Sequence, residues 1–338
     1  MAASRLKALA ATTASVPITL FGLILVTFLI GRVMPIDPVL AIVGDRAPAD
    51  VVAQARLDLG LDEPLYVQFW IFVVKLAHGD LGRSVMTSHT VVDDIIRFFP
   101  ATMELATLAI LIAAVIGIPL GVLAAVKQGT RIDHTIRVIC LAGHSLPIFV
   151  LALLSLLVFY ATLGIAPGPG RQSIFFFELV PTVTGLLTVD SIIAGEWEAF
   201  WDALAHLAQP AGVLAYFSMA YLARMTRAFM LDTLKGEFII TARAKGLSPA
   251  RVIWKHAFGN IFVRLITILA LAYAGLLEGA VVTETVFSWP GLGQYLTISL
   301  LNADMNAVLG ATLVVGVTYL AFNLLADLLY RLLDPRVQ

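Results

Sequence analysis

Thr241-Ala242-Arg243-Ala244-Lys245-Gly246-Leu247-Ser248-Pro249 decides how this chain is laid out, because it sits in a long charged connection between two uncharged runs. Just upstream, Met230, Leu234, Phe238 and Ala242 recur every fourth residue, which puts them on one side of a helix, with Asp232, Lys235 and Glu237 off that side. Lys245 falls in the last predicted turn, where a cation suits the helix dipole. Gly246 can take positive φ and end the helix. Ser248 and Pro249 restart one, as N-cap and first helical residue. The pattern predicts two short helices joined by the tight turn Gly246-Leu247-Ser248. Taken alone, such a segment either lies at the headgroup boundary of a membrane or projects as a stiff elbow into a groove on a partner.

Outward from this elbow the chain is built of uncharged runs. Six are long enough to cross a bilayer, roughly residues 10–32, 104–126, 138–164, 205–224, 264–284 and 305–327. The runs are continuous rather than alternating, which excludes a β-barrel and leaves an all-α polytopic membrane protein with six transmembrane helices. Lys and Arg fix the orientation. Arg5, Lys7, Lys127, Arg131, Arg137, Arg224, Arg227, Lys235, Arg243, Lys245, Arg251, Lys255, Arg264, Arg331 and Arg336 fall on one side. The short connections on the other side carry Arg171 alone. The elbow and both termini are therefore expected in the cytoplasm.

Composition agrees. Of 338 residues, 59% are hydrophobic and 13% charged, against about 25% charged in a soluble domain, and mean hydropathy is +0.92. A net charge of −1 gives no footprint for a nucleic-acid partner. Cys140 is the single cysteine, so neither a disulfide framework nor a cysteine metal cluster can form within the chain. Residues 8–31 are uncharged and exceed the apolar core of a cleaved signal, so they are read as a retained first helix.

The layout expected is a first helix over 1–32, an external segment with short helices over 33–103, and a core over 104–338. The core has a cytoplasmic connection at 225–263 and an external insertion at 165–204. Val51, Val52, Ala55 and Leu59 predict a short helix in the external segment, with Gly60 as its C-cap. The insertion opens on Pro167-Gly168-Pro169-Gly170, a loop, and its apolar stretch 175–180 is too short to cross.

Thr241-Ala242-Arg243-Ala244-Lys245-Gly246-Leu247-Ser248 resembles the coupling-loop motif of bacterial binding-protein-dependent importer permeases, most of all the dipeptide/oligopeptide branch of ABC importers. Met34-Pro35-Ile36-Asp37-Pro38, Gly79-Asp80-Leu81-Gly82-Arg83-Ser84, Pro119-Leu120-Gly121-Val122, the stretch from Glu284 through Trp289-Pro290-Gly291-Leu292-Gly293, and Leu333-Asp334-Pro335-Arg336 are similar to that branch in the same order. Three departures stand out. Ile240-Thr241-Ala242 replaces the general Glu-Ala-Ala, Ile36 replaces a glycine, and no proline occurs between Pro249 and Pro290, with Arg264 near the position where one is usual.

The resemblance implies the type I ABC importer permease fold in a bacterial cytoplasmic (inner) membrane. It also implies a second, homologous permease subunit, two cytosolic ATPase subunits and an external or periplasmic solute-binding protein. Substrates would be di- or oligopeptides or similar small solutes. Through it, residues 241–248 become the ATPase-coupling loop.

No phosphate-binding GxxxxGK[ST] occurs in the chain, so ATP and Mg are expected on the partner ATPase subunits and no cofactor here. Glu278 lies within the fifth run, and an acid at that depth generally faces protein or a water-filled path. Glu278, Glu284 and Trp289 are the candidate path or external-gate residues. Asp37, Asp80, Asp93 and Asp94 read as solvated external acids. His144 and Ser145 precede Pro147, which predicts a kink; His206 and His256 lack metal-like spacing. Arg224 and Arg227 mark the cytoplasmic exit of the fourth run. An ion-gradient-driven secondary transporter is the alternative, but it would need paired acids or broken helices at mid-membrane. A membrane enzyme would need an inward-facing catalytic set, and no catalytic motif is visible.

Overall fold

Lipid gives an apolar run no partner for its backbone except itself, so such runs wind into helices and end where Gly, Pro or charge intervenes. A computed structural model describes residues 2–33, 39, 47–58 and 61–333, and among them it is helical with no strand beyond a single bridge between Arg83 and Thr90. The motif at 34–38, Leu59, Gly60 and the tail from Asp334 lie outside the described residues.

In chain order the helices are α1 (Ala2–Val33), α2 (Ala49–Asp58), α3 (Leu65–Ala77), α4 (Val91–Val126), α5 (Arg131–Ser145) and α6 (Ile148–Ser155), which widens into a π segment, Leu156–Thr162. There follow α7 (Leu187–Ala194), α8 (Trp197–Leu234), α9 (Glu237–Ala244), α10 (Pro249–Val286), α11 (Leu292–Leu301) and α12 (Met305–Leu333).

Among the described residues, three helices are long and apolar enough to cross a membrane: Val91–Val126, Pro249–Val286 and Met305–Leu329. Arg131–Gly143 with Ile148–Thr162 adds a fourth if that bent pair is one span. The expected kink at Pro147 is a break of 96° between α5 and α6. Pro147 lacks the N–H the helix would need, and the chain restarts from it in extended geometry.

The chain divides into two compact units. One comprises Met1–Phe99 and Leu292–Leu320. Its core packs Val91 and Ile95 against Leu292, Tyr295, Ala307 and Ala311. The Tyr295 hydroxyl donates to Asp94 (3.0 Å), which also accepts from Thr87 (2.5 Å), and the Ser84 hydroxyl donates to Asp304 (2.5 Å). Asp94, expected to be a solvated acid, is buried in this network.

The other unit comprises Pro100–Gly291 and Ala321–Gln338. At its centre is α8, 38 residues long, which reaches well beyond the expected run 205–224 at both ends. Along α4, Ala101, Leu105, Ala109, Ala113, Gly117, Gly121 and Ala125 recur every fourth residue as one line of mostly small side chains. There the backbones touch: a methyl group at Gly121 would lie 2.5 Å from the Ala223 carbonyl oxygen and 2.6 Å from Cβ of Thr226. Small residues at four-residue spacing are how helices approach closely in lipid.

Candidate functional site

The elbow is held from within and bare outside. α8 ends at Leu234, the chain turns through Lys235 and Gly236, and α9 begins at Glu237. α9 closes with a complete pair of C-terminal hydrogen bonds: Leu247 N–H to Ala242 C=O (3.3 Å) and Gly246 N–H to Arg243 C=O (3.0 Å). Gly246 sits at φ +75°. Leu247 packs onto the cluster that contains Ala242, a contact that frequently accompanies this closing motif.

Ile239 and Ala242 are buried with Met230, Val252, Ala257, Ile261 and Leu265. Thr241, Arg243, Ala244, Lys245, Gly246 and Ser248 are exposed. The expected apolar stripe is corrected at one position. The turn at Gly236 resets the helical phase, so Ile239 takes the inner place and Phe238 is 44% exposed. Pro249 opens the next helix as expected, and Ser248 occupies its N-cap without a side-chain capping bond. The second helix is not short. With no proline after Pro249 to stop it, α10 runs 38 residues through Arg264, taking a π-helical form at Val252–Phe258.

At the far end of α10, two of the candidate gate residues meet and the third does not. Glu284 is 0% exposed and accepts from the Thr102 hydroxyl (2.6 Å). Trp289 donates its main-chain N–H to Glu284 C=O (2.8 Å) and its indole N–H to Ala101 C=O (3.0 Å). The Arg171 guanidinium lies 5.7 Å from the Trp289 ring. Glu278 lies on the exposed side of α10, away from this cluster.

Arg171 ties the insertion into the same cluster. It donates to Glu104 (2.6 Å) and to Gly185 C=O (2.7 Å), while Thr188 donates to Glu104 through both N–H (2.8 Å) and hydroxyl (2.6 Å). Gly170 N–H reaches Phe287 C=O (2.8 Å). The loop 183–185 is in turn folded over Asp190. Burial raises the Asp190 pKa, but the Thr184 hydroxyl and the N–H groups of Thr184, Val183 and Gly185 outweigh it and hold the carboxyl below its ordinary value.

Nearer the elbow, Arg227 grips Asp133 with two bonds of 2.8 Å, and Gly129 N–H adds a third at 3.0 Å. This pair joins the start of α5 to α8. Glu104, Asp133 and Arg171 carry no local sequence signal for these roles, because their partners are distant in the chain. Among the described residues no group of three His, Cys, Asp or Glu is placed to hold a metal ion.

Three helices apolar and long enough to cross a membrane, with a bent pair beside them, make this a multi-pass membrane protein. The chain belongs to the family described as binding-protein-dependent transport system inner membrane component, matched over residues 117–338, and the N-terminal companion of that family matches residues 6–106.

It is 44% identical over 317 residues to "Probable D,D-dipeptide transport system permease protein DdpB" of Escherichia coli K12, covering 94% of this chain and 93% of that one. It is 40% identical over 321 residues to the di/tripeptide transport system permease protein DppB of Pseudomonas aeruginosa UCBPP-PA14, with 95% of each chain covered. The dipeptide transport system permease protein DppB of Escherichia coli K12 is 39% identical over 322 residues, with 95% of each covered. In fold, the chain is similar to the inward-facing MetNI methionine ABC transporter (TM-score 0.53, 17% identity), over 71% of this chain and 96% of that one.

Proposed function

We propose that this chain forms half of the translocation path of an ATP-driven importer for di- or oligopeptides or similar small solutes in a bacterial inner membrane. Residues 241–248 dock on one of two separate cytosolic ATPase subunits. A second, homologous permease supplies the other half of the path, and an external solute-binding protein delivers substrate. Six helices span the bilayer with both termini in the cytoplasm: α1, the bent α5–α6 pair and α8 join the three helices that are long and apolar enough by themselves.

One observation carries the reading. The elbow is anchored by Ile239, Ala242 and Leu247, while the remaining residues of the turn point away from the fold. A rigid base with an exposed face is what docking on a moving partner requires. The names of the relatives support a peptide substrate.

ATP closure on the partners would move the elbow, and α10 would pass that movement to the turn around Glu284 and Trp289 at the external gate. Glu278, exposed on α10, would line the path. The test is Gly246→Val in the assembled importer. Substrate-stimulated ATP hydrolysis and uptake should part company, with uptake falling at least about tenfold; unchanged uptake at normal expression would refute the reading.

A further inference from the structure

The Gly79-Asp80-Leu81-Gly82-Arg83-Ser84 motif has no part in the coupling just described, yet it is held rigidly. Asn306 donates its side-chain N–H to Arg83 C=O (2.9 Å), Ser84 is bonded to Asp304, and Val91 N–H reaches Gly82 C=O (3.0 Å). The loop forms one wall of a cavity of about 580 Å³ within the Met1–Phe99 and Leu292–Leu320 unit. That volume lies within the range of small-molecule sites, roughly 300–1,000 Å³.

The floor of the cavity is apolar, with Phe28, Phe72 and Leu309 among its residues. Gln68 lines it and is only 7% exposed. Its amide N–H groups are spent on Leu61 C=O (2.9 Å) and Glu63 C=O (2.7 Å), which fixes the side chain, and its Oε1 is buried with no partner. A buried acceptor left unmet is costly, so a site built this way favours a ligand that brings an N–H donor. Charged side chains of both signs also line the cavity: Asp80, with Oδ1 bonded to Gly82 N–H (2.9 Å), and the exposed Lys75 and Arg83.

We propose that this cavity binds a small zwitterion, with its N–H donor on Gln68 Oε1 and Asp80, its compact anion between Lys75 and Arg83, and its apolar part on the floor. A short peptide in transit has this chemistry, and so does an ethanolamine lipid headgroup. The peptide assignment rests on the importer reading above and gives it a waiting position outside the membrane path.

The test is equilibrium binding of labelled dialanine to the assembled importer, without its external binding protein, in phosphatidylcholine nanodiscs, whose headgroup has no N–H. Saturable binding is expected. It should weaken at least about tenfold in Gln68→Leu and, independently, in Lys75→Ala/Arg83→Ala, a pair of surface changes that leaves the core untouched. N-acetylated dialanine amide, which lacks both charges, should compete poorly.

Absence of saturable binding, or equal binding by the Lys75/Arg83 variant, overturns the site. If added phosphatidylethanolamine displaces dialanine, the resident zwitterion is the headgroup and the peptide assignment falls. A Gly246 variant with full uptake would sink the coupling reading while leaving this measurement intact.

Discussion

Gly246 shows how much one residue can decide. A Cβ built there meets nothing within 4 Å, so the obstacle to substitution is the backbone angle alone. A left-handed conformation costs an ordinary residue about 1–2 kcal/mol, but Asn tolerates it. Gly246→Asn should therefore keep most uptake where Gly246→Val loses it, and a transport assay on the two variants separates backbone strain from simple bulk.

Asp190 allows a prediction with a definite sign. Its pKa is lowered in the fold, so its contribution is complete above the unfolded value, near pH 4, and is lost as pH falls through the folded value. Hydrogen exchange at residues 183–190 should accelerate as pH drops below about 4, relative to the intrinsic rate. Asp190→Asn should exchange fast at every pH and lose that dependence.

Among elements, the contact between α4 and α8 is the least forgiving. Gly121→Ala forces a methyl group against a carbonyl oxygen, and overpacking of this kind typically costs about 1–3 kcal/mol. The variant should melt lower in detergent, and Gly121→Leu should fail to assemble. Asp133 and Arg227 make a second inter-helix tie, and Arg227→Gln would leave a carboxylate that is 2% exposed without its bidentate partner. That loss should also lower the melting temperature.

These two ties were legible to different degrees. The four-residue spacing of small residues on α4 can be read from the sequence. The Asp133–Arg227 pair cannot, because its members are 94 residues apart. The close of α9 was legible because Gly246, Leu247 and Pro249 act within one turn. Phe238 was misassigned because Gly236 interrupts the helix, and a four-residue count carried across the break points to the wrong neighbour. α8 was cut short because an apolar window stops at charge, whereas the helix carries Glu198 and Asp202 at one end and Arg224, Arg227 and Asp232 at the other inside the same element.

For the molecule as a whole, topology is open to direct measurement. Cys140 is buried, so it gives a low background for labelling introduced thiols. Ser248→Cys should react with an impermeant maleimide only in inside-out vesicles. Ser88→Cys, on an exposed loop residue, should react only from the outside of intact cells. The opposite pattern at either position would invert the orientation on which the coupling scheme depends.

Under the proposed coupling, the unbroken course of α10 sets the scale of what the elbow can do. Thirty-eight helical residues make a rod about 57 Å long. A beam of that length works as a seesaw. If it pivots near its middle, a tilt of a few degrees at the 249 end swings the 286 end by an ångström or two, about what is needed to loosen hydrogen bonds of 2.6–3.0 Å around Glu284 and Trp289. A proline near position 264 would have put a joint in the beam, and this chain has none there.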